Sequence, residues 1–438
     1  MPKSPRAPAL LLGFAPLCAP FPALRTATIS SADSAVATLS GGVALPALAH
    51  VELRGGIPLC RIITSIGQAG RYETAAELKT AFEDMSALLA AGFTSFDLSD
   101  HFVTEKKQDH VTLGEGSNLV LTGTITIGEN YLAEDYSNTE TFVGAFVDRL
   151  GGDAVAQALN LSFHTHWAPP PLMLSLDEVR EALDAIVTRT RRRRLDLVAV
   201  HWWEASNVES HLSTLSSAFQ LTAPPSELAR AVGLTNFDTP TLTAVYDGLV
   251  PELRGAFVSN QVSYSLIDTR AADGGMVAAA ATRNVSLIAY GTTLGGLLGE
   301  RWLGKQPPGT LQLAASPTLA KYYGFVKAWS RGEWALFQEL LRVLHDAATR
   351  HGGGATIGTA ATSWVLAQPG VGGVVVGARL GQGAAALERY VGAQAVTLDL
   401  QFSEAELALL AMVQRRGRPL LEVYGDCGHE AHGGGAGG

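Results

Sequence analysis

LNLSFHTHWAPPPLMLSLDEVREALDAIVTRTRRRRLDLVAVHWW, residues 159–203, holds one full turn of the pattern that organises this chain. The run LNLSFHTHW is apolar and ends in a proline-rich turn. SLDEVREALDAIVTRTRRR follows with apolar residues at helical spacing, opened by Ser175 with Glu178 three residues on, the capping-box signature of a helix start. LDLVAVHWW is then a second strand-like run. Within the first, His164 and His166 are two apart, so a strand puts both imidazoles on one face.

The same alternation fills the chain after Val51. Strands are expected at CRIITSIGQ, TSFDLSD, LNLSFHTHW, LDLVAVHWW, RAVGLTNF, FVSNQVSYS, VSLIAYGTT and GGVVVGARL. Helical segments lie between them: TAAELKTAFEDMSALLAAG, TETFVGAFVDRLG, SLDEVREALDAIVTRTRRR, HLSTLSSAFQ, TPTLTAVYDGLV, GMVAAAATRN, and WALFQELLRVLHDAATRHG with TIGTAATSWVLAQ. Eight strand–helix steps in order predict an α/β fold, a (β/α)8 TIM barrel over residues 51–425. Chemistry in that fold sits where strands end. The polar residues at those ends are Asp97, His166, His201, Thr235, Asn236, Gln261, Tyr290 and Arg379.

Bulk properties agree with a large globular core: 47% of the 438 residues are hydrophobic and 17% charged. A net charge of −9 argues against nonspecific binding to nucleic acid, which needs a basic footprint. Cys18, Cys60 and Cys427 are odd in number and far apart, so no disulfide framework is expected and a reducing compartment is favoured. Residues 1–50 are rich in Ala, Ser and Pro, carry Lys3, Arg6 and Arg25, and have Asp33 as their one acid. Pro8, Pro16, Pro20 and Pro22 break the apolar stretch, so no spanning helix and no membrane partner is expected. Such a leader resembles an organelle transit peptide, chloroplast before mitochondrion, with a secretory signal or a disordered tail as alternatives and a cytoplasmic location if the leader is not a transit peptide. At the other end, residues 426–438 read as a disordered Gly-rich tail, in which Cys427, His429 and His432 make a weak metal trio. The basic run Arg189–Arg194 closes a helix, where cations suit the dipole, and is expected to face solvent.

GFTSFD, LDLVAVHWW, VGLTNF, VSNQVSYSLID, IAYGTTLGGLL and VVVGARL, in this order and spacing, resemble the aldo-keto reductase superfamily over roughly Glu52 to Cys427. Its members are NAD(P)H-dependent carbonyl oxidoreductases on a (β/α)8 barrel. The resemblance implies that a Tyr gives a proton to the carbonyl oxygen while the nicotinamide gives hydride. A Lys lowers the Tyr pKa, an Asp pairs with the Lys, and a His orients the carbonyl. A phenol, with a reference pKa of about 10, needs such a neighbour to act near neutrality.

Asp97 and His201 match the family Asp and His. The position usual for the Tyr holds Phe102, whereas LAEDYSNTETFVG repeats the family's Ala-acid-x-Tyr-x-x-x-Glu run, so Tyr136 is taken as the acid. That implies an insertion near residues 98–131, either a small hairpin over the pocket mouth or sequence not meant to be translated. Thr165-His166-Trp167 places His166 where the family has Lys. An ammonium stays charged at pH 7, whereas an imidazole titrates near 6.5 in reference peptides. Impaired reduction that improves at mildly acidic pH is therefore expected. His164 is expected to pack inside the barrel.

The resemblance extends to the cofactor. Thr235, Asn236 and Gln261 match the residues that hold the nicotinamide carboxamide, and Tyr290 the aromatic that stacks on its ring. Gly291, Leu294 and Gly296 match the loop passing the pyrophosphate, where small residues admit close approach. Arg379 falls where the family grips the adenosine phosphate, and a guanidinium there favours NADP(H) over NAD. Arg389 stands where an Asn is usual. Trp167, Trp202 and Trp203 are expected to wall the pocket for a small carbonyl or alcohol substrate. Two other readings stay open: an NADPH-binding barrel with little or no catalysis, acting as a sensor or regulatory subunit, and a metal-dependent hydrolase using His-x-His.

Overall fold

The computed structural model describes residues 49–67, 72, 74–99, 139–169, 173–201 and 208–429. Residues 1–48 of the leader, Phe102, residues 100–131 of the expected insertion, Tyr136, Trp202, Trp203 and His432 lie outside the described residues.

Ten strands are described: β1 (His50–Leu53), β2 (Ile57–Cys60), β3 (Ile62–Ser65), β4 (Ser95–Ser99), β5 (Ser162–Trp167), β6 (Leu195–His201), β7 (Ala229–Thr235), β8 (Phe257–Ser263), β9 (Ser286–Tyr290) and β10 (Val371–Gly377). From β3 to β10 every neighbouring pair is parallel, and β10 returns to β3 to close the barrel. These are the eight strands expected from the sequence, each a few residues shorter. β6 and β8 are buried along their whole length, as strands covered on both faces must be.

β1 and β2 form an antiparallel hairpin that the sequence reading did not separate from the first barrel strand. Its turn needs Gly55 and Gly56 at φ +78° and +74°. Leu53, Ile57 and Leu59 pack with Ile63, Leu197, Ala231, Val258 and Ile288, which come from the early residues of five barrel strands. The hairpin therefore plugs the barrel at its amino end with apolar side chains, which leaves the carboxyl rim for chemistry.

Helices form where local signals ask for them. Thr74 with Glu77, Ser175 with Glu178 and Ser403 with Glu406 make reciprocal capping boxes on the helices Ala75–Ala90, Leu176–Thr190 and Glu404–Gln414. Leu78, Phe82 and Met85 of the first are buried, and Phe82 stacks on Phe142 of the helix Thr139–Leu150 at 4.9 Å. Between β9 and β10 the chain also builds the helix Pro317–Ser330, before the expected Trp334–His351 and Ile357–Leu366. Among the described residues no helix is long and apolar enough to cross a membrane.

The basic run Arg189–Arg194 departs from expectation. Arg192 is 4% exposed; its guanidinium pairs with Asp153 at 3.0 Å and Asp196 at 3.1 Å and lies over the Phe163 ring. Arg189 pairs with the buried Glu140. Only part of the run faces solvent, because two cations are recruited to neutralise carboxylates trapped between the barrel and its helices. Residues 426–429, read as part of the tail, are described and packed on the barrel. Cys427 is buried and Asp426 accepts a hydrogen bond from the Thr239 amide at 2.8 Å.

Candidate active site

Parallel register sets the site. Asp97 on β4 is level with His164 on β5, and His201 on β6 is level with Thr235 on β7, which is level with Gln261 on β8. Because side chains alternate along a strand, His164 and His166 point to the same side at successive depths.

Two hydrogen-bonded chains result. In the first, His166 Nε2 meets Asp97 Oδ1 at 2.6 Å, and His166 Nδ1 meets Thr235 Oγ1 at 3.3 Å. All three residues are buried, so the pair is shielded from solvent. Burial alone would raise the Asp97 pKa; the charge and hydrogen bond of His166, with His164 and Ser65, outweigh it and hold the carboxyl below its ordinary value. In the second chain, the Asn236 amide nitrogen lies 3.0 Å from His201 Nε2, while the Tyr290 hydroxyl donates to Asn236 Oδ1 at 2.8 Å. The His166 and His201 rings stand edge to face with centroids 6.1 Å apart, which brings the two chains side by side.

His164 lies one step below His166 on the same strand, level with Asp97. It is 1% exposed, with Nε2 3.5 Å from Ser162 Oγ. Burial pushes its pKa down to about 4, Asp97 opposing and His166 adding to the shift. It packs inside the barrel, as expected.

Asn236 takes φ +61°, a left-handed conformation that asparagine tolerates better than most residues. Its amide donates to the Gln261 carbonyl at 2.9 Å, which fixes the turn leaving β7. Gln261 is buried at the rim, Tyr290 is half-buried at the end of β9, and Trp167 is buried at the end of β5. Arg379 is exposed just after β10, and Arg389 is exposed on the helix Ala384–Asp399.

The glycine loop after β9 packs closely against a later helix. A Cβ on Gly291 would stand 2.5 Å from the Tyr322 hydroxyl, and one on Gly295 would stand 2.9 Å from Tyr322 and 3.1 Å from Thr318. These glycines are needed first for packing against the helix Pro317–Ser330. Gly296 would meet only the flexible Arg301 guanidinium, and Leu294 is wholly buried.

Sequence reasoning missed two contributors here. Lys321 Nζ stands 5.7 Å from the Tyr290 ring centroid and 5.6 Å from that of Tyr322. Asp84 accepts from the Gly381 and Gly383 amides at 2.8 and 3.4 Å, anchoring the turn after Arg379. The signal for the helix that carries Lys321 was present, since Ser316 caps it and Pro317 opens it. Among the described residues no group of three or more His, Cys, Asp or Glu is placed to hold a metal ion.

A buried Asp–His pair, a second histidine, an amide-bearing asparagine and a half-exposed tyrosine thus share the carboxyl rim of a closed eight-stranded barrel. Residues 65–404 match the aldo/keto reductase family. The chain belongs to that family. No curated protein sequence matches it. Solved structures do. A thermostable aldo-keto reductase in complex with epalrestat is 18% identical, with a TM-score of 0.53 over 83% of this chain and 99% of that one. An aldo/keto reductase from Klebsiella pneumoniae in complex with NADP and acetate is 17% identical, TM-score 0.54, over 84% and 95%. A glycerol dehydrogenase from Gluconobacter oxydans is 15% identical, TM-score 0.60, over 85% and 97%. At these identities the structural likeness carries the fold, and the family match carries the assignment to NAD(P)H-dependent oxidoreductases.

Proposed function

We propose that this aldo/keto reductase family member is an NADP(H)-dependent oxidoreductase that reduces an aldehyde or ketone, or oxidises an alcohol or sugar. The supporting observation is the meeting of the chains Asp97–His166–Thr235 and His201–Asn236–Tyr290 at one rim. The donor set fits a nicotinamide nucleotide. Thr235, Asn236 and Gln261 offer a hydroxyl and two amides to a carboxamide, and the half-buried Tyr290 is the aromatic assigned to stack on its ring. Arg379 offers an exposed guanidinium to a 2′-phosphate, as the NADP-bound relative leads one to look for. Gly291, Leu294 and Gly296 are assigned to the loop that passes the diphosphate.

When bound, the reduced nicotinamide supplies the hydride. His201, held through Asn236, orients the carbonyl, and Tyr136, assigned by its motif, gives the proton to the developing alkoxide. His166 does part of the work of the family Lys. If charged, it donates from both nitrogens, to Asp97 and to Thr235, and its field favours the phenolate. If neutral, it accepts from Thr235 and offers no such help. Trp167, Trp202 and Trp203 are assigned to the walls of the substrate pocket. Residues 1–50 are proposed as an organelle transit leader, which a fluorescent fusion to that segment would test.

One observation favours a second reading, cofactor binding with little turnover. Both ring nitrogens of His166 have partners in Asp97 and Thr235, so the imidazole is less free to serve a phenol than a lysine chain would be. The test is NADPH and NADH oxidation by the full chain against aldehydes, ketones and sugars. Turnover with NADPH supports the reductase. Tight NADPH binding without turnover supports the second reading, and no association of either nucleotide overturns both.

A further inference from the structure

The segment that the sequence offers as a glycine-rich tail, Gly425-Asp426-Cys427-Gly428-His429, docks on the turn that carries Asn236. We propose that residues 425–429 form a clasp that positions Asn236 for the nicotinamide cofactor. This rests on the cofactor assignment above, and the clasp lies beyond the residues matched to the family.

Four contacts hold it. Asp426 Oδ2 accepts from the Thr239 amide at 2.8 Å, at the first residue of the helix Thr239–Gly248. His429 Nε2 lies 3.0 Å from Asp238 Oδ2, while the other oxygen of Asp238 caps the same helix through the Thr241 amide at 2.8 Å. The Asp426 carbonyl accepts from Arg270 Nη1 at 3.2 Å; Arg270 is wholly buried and forked onto Asp268 at 2.7 and 2.9 Å. Gly428, at φ +88°, lies so close to the turn that a Cβ would stand 1.8 Å from the Asn236 carbonyl oxygen. Gly425, at φ +77°, gives the bend that returns the chain to this position.

The geometry explains why glycine is required at 428: left-handed backbone and backbone-to-backbone contact both exclude a side chain. Its neighbour in space, Asn236, is itself left-handed and joins His201 to Tyr290. A left-handed asparagine costs backbone energy and persists where surroundings impose it. The surroundings here are Gln261 on one side and the clasp on the other. Cys427, buried in the hydrophobic core, holds the segment down as an apolar anchor. Asn236 is thus set by a segment almost two hundred residues away, and residues 425–429 act as positioning residues with no need to touch cofactor themselves.

The test is Gly428→Ala in the full chain, alongside His429→Ala and His429→Gln. Displacing a binding group by about 1 Å can cost about a hundredfold. Gly428→Ala is expected to raise the NADPH Kd and KM by about tenfold or more. Amide hydrogen exchange over residues 236–239 is expected to quicken by a similar factor while the barrel strands stay protected. His429→Gln, which can still donate to Asp238, should restore much of what His429→Ala loses. Wild-type exchange at 236–239 in both Gly428→Ala and His429→Ala would overturn the clasp, whatever the cofactor does. If the wild-type chain fails to bind NADPH, the cofactor assignment falls, and unchanged exchange or lost protection in these variants still decides whether the segment holds the turn. Should Gly428→Ala fail to fold, the two His429 variants carry the same measurement.

Discussion

Replacing His164 by Gln removes a titrating group from the barrel wall level with Asp97 and one step below His166. In the folded chain burial holds the His164 pKa at about 4, against 6.5 for an ordinary imidazole. Between those values the unfolded chain binds a proton that the folded chain refuses, so stability falls as pH drops. At about 1.4 kcal/mol per pH unit, the two to three units between them amount to about 3 kcal/mol, complete near pH 4 and absent above pH 7. Asp97 adds in the same direction. Its carboxyl is held below its ordinary value, so its contribution is full above the unfolded carboxylate pKa and is lost as pH falls through the folded one. That loss comes mostly below the His164 window. Urea denaturation of wild type and His164→Gln at pH 7, 6, 5 and 4 separates the two, because the cost of the substitution itself cancels in the difference between pH values. The variant should lose about 3 kcal/mol less than wild type between pH 7 and pH 4. Parallel stability curves would mean that His164 titrates freely in the folded barrel, and the placement of this imidazole in a dry layer would be wrong.

His166→Lys should raise kcat for carbonyl reduction by about tenfold or more, given the range typical of acid–base groups, and change the shape of the pH–rate profile; steady-state kinetics from pH 5 to 9 with an unchanged profile would count against His166 standing in for the lysine. Arg192→Ala should cost about 3–5 kcal/mol in chemical denaturation, since it strands Asp153 and Asp196 beside the barrel; a loss under about 1 kcal/mol would place the pair in the class of surface bridges. Arg379→Ala should raise the NADPH KM about tenfold and leave that of NADH nearly unchanged, as expected for one charge-assisted phosphate contact; equal effects on both nucleotides would move the 2′-phosphate elsewhere.

The barrel was legible because its eight strands are short apolar runs bounded by glycine, proline or polar residues, and the helices between them carry their own caps. The hairpin β1–β2 was not, because Cys60-Arg61-Ile62 runs from hairpin into barrel with no turn residue to mark the break. The period of two did place His164 and His166 on one side, and parallel register brings His201, Thr235 and Gln261 level with one another. What sequence could not give is partnership at a distance. Nothing local says that Arg192, inside a basic run, is the one whose register meets Asp153 and Asp196. Nothing local says that Gly291 and Gly295 answer to Tyr322 from a later helix. Gly425 and Gly428 look like the start of a loose end until the Asn236 carbonyl is seen against them; glycine reads the same whether the chain is free or tightly fitted. Tyr136, Trp202 and Trp203 rest on motif and resemblance alone, since they lie outside the described residues.

The most direct test of a reductase site at this rim is single-turnover reduction of an aldehyde by the NADPH-loaded full chain, wild type against Tyr136→Phe. Loss of the proton donor should slow the reaction by about a hundredfold or more while NADPH affinity stays within about twofold. Equal rates in the two proteins, or a wild-type chain with which NADPH does not associate, would contradict it.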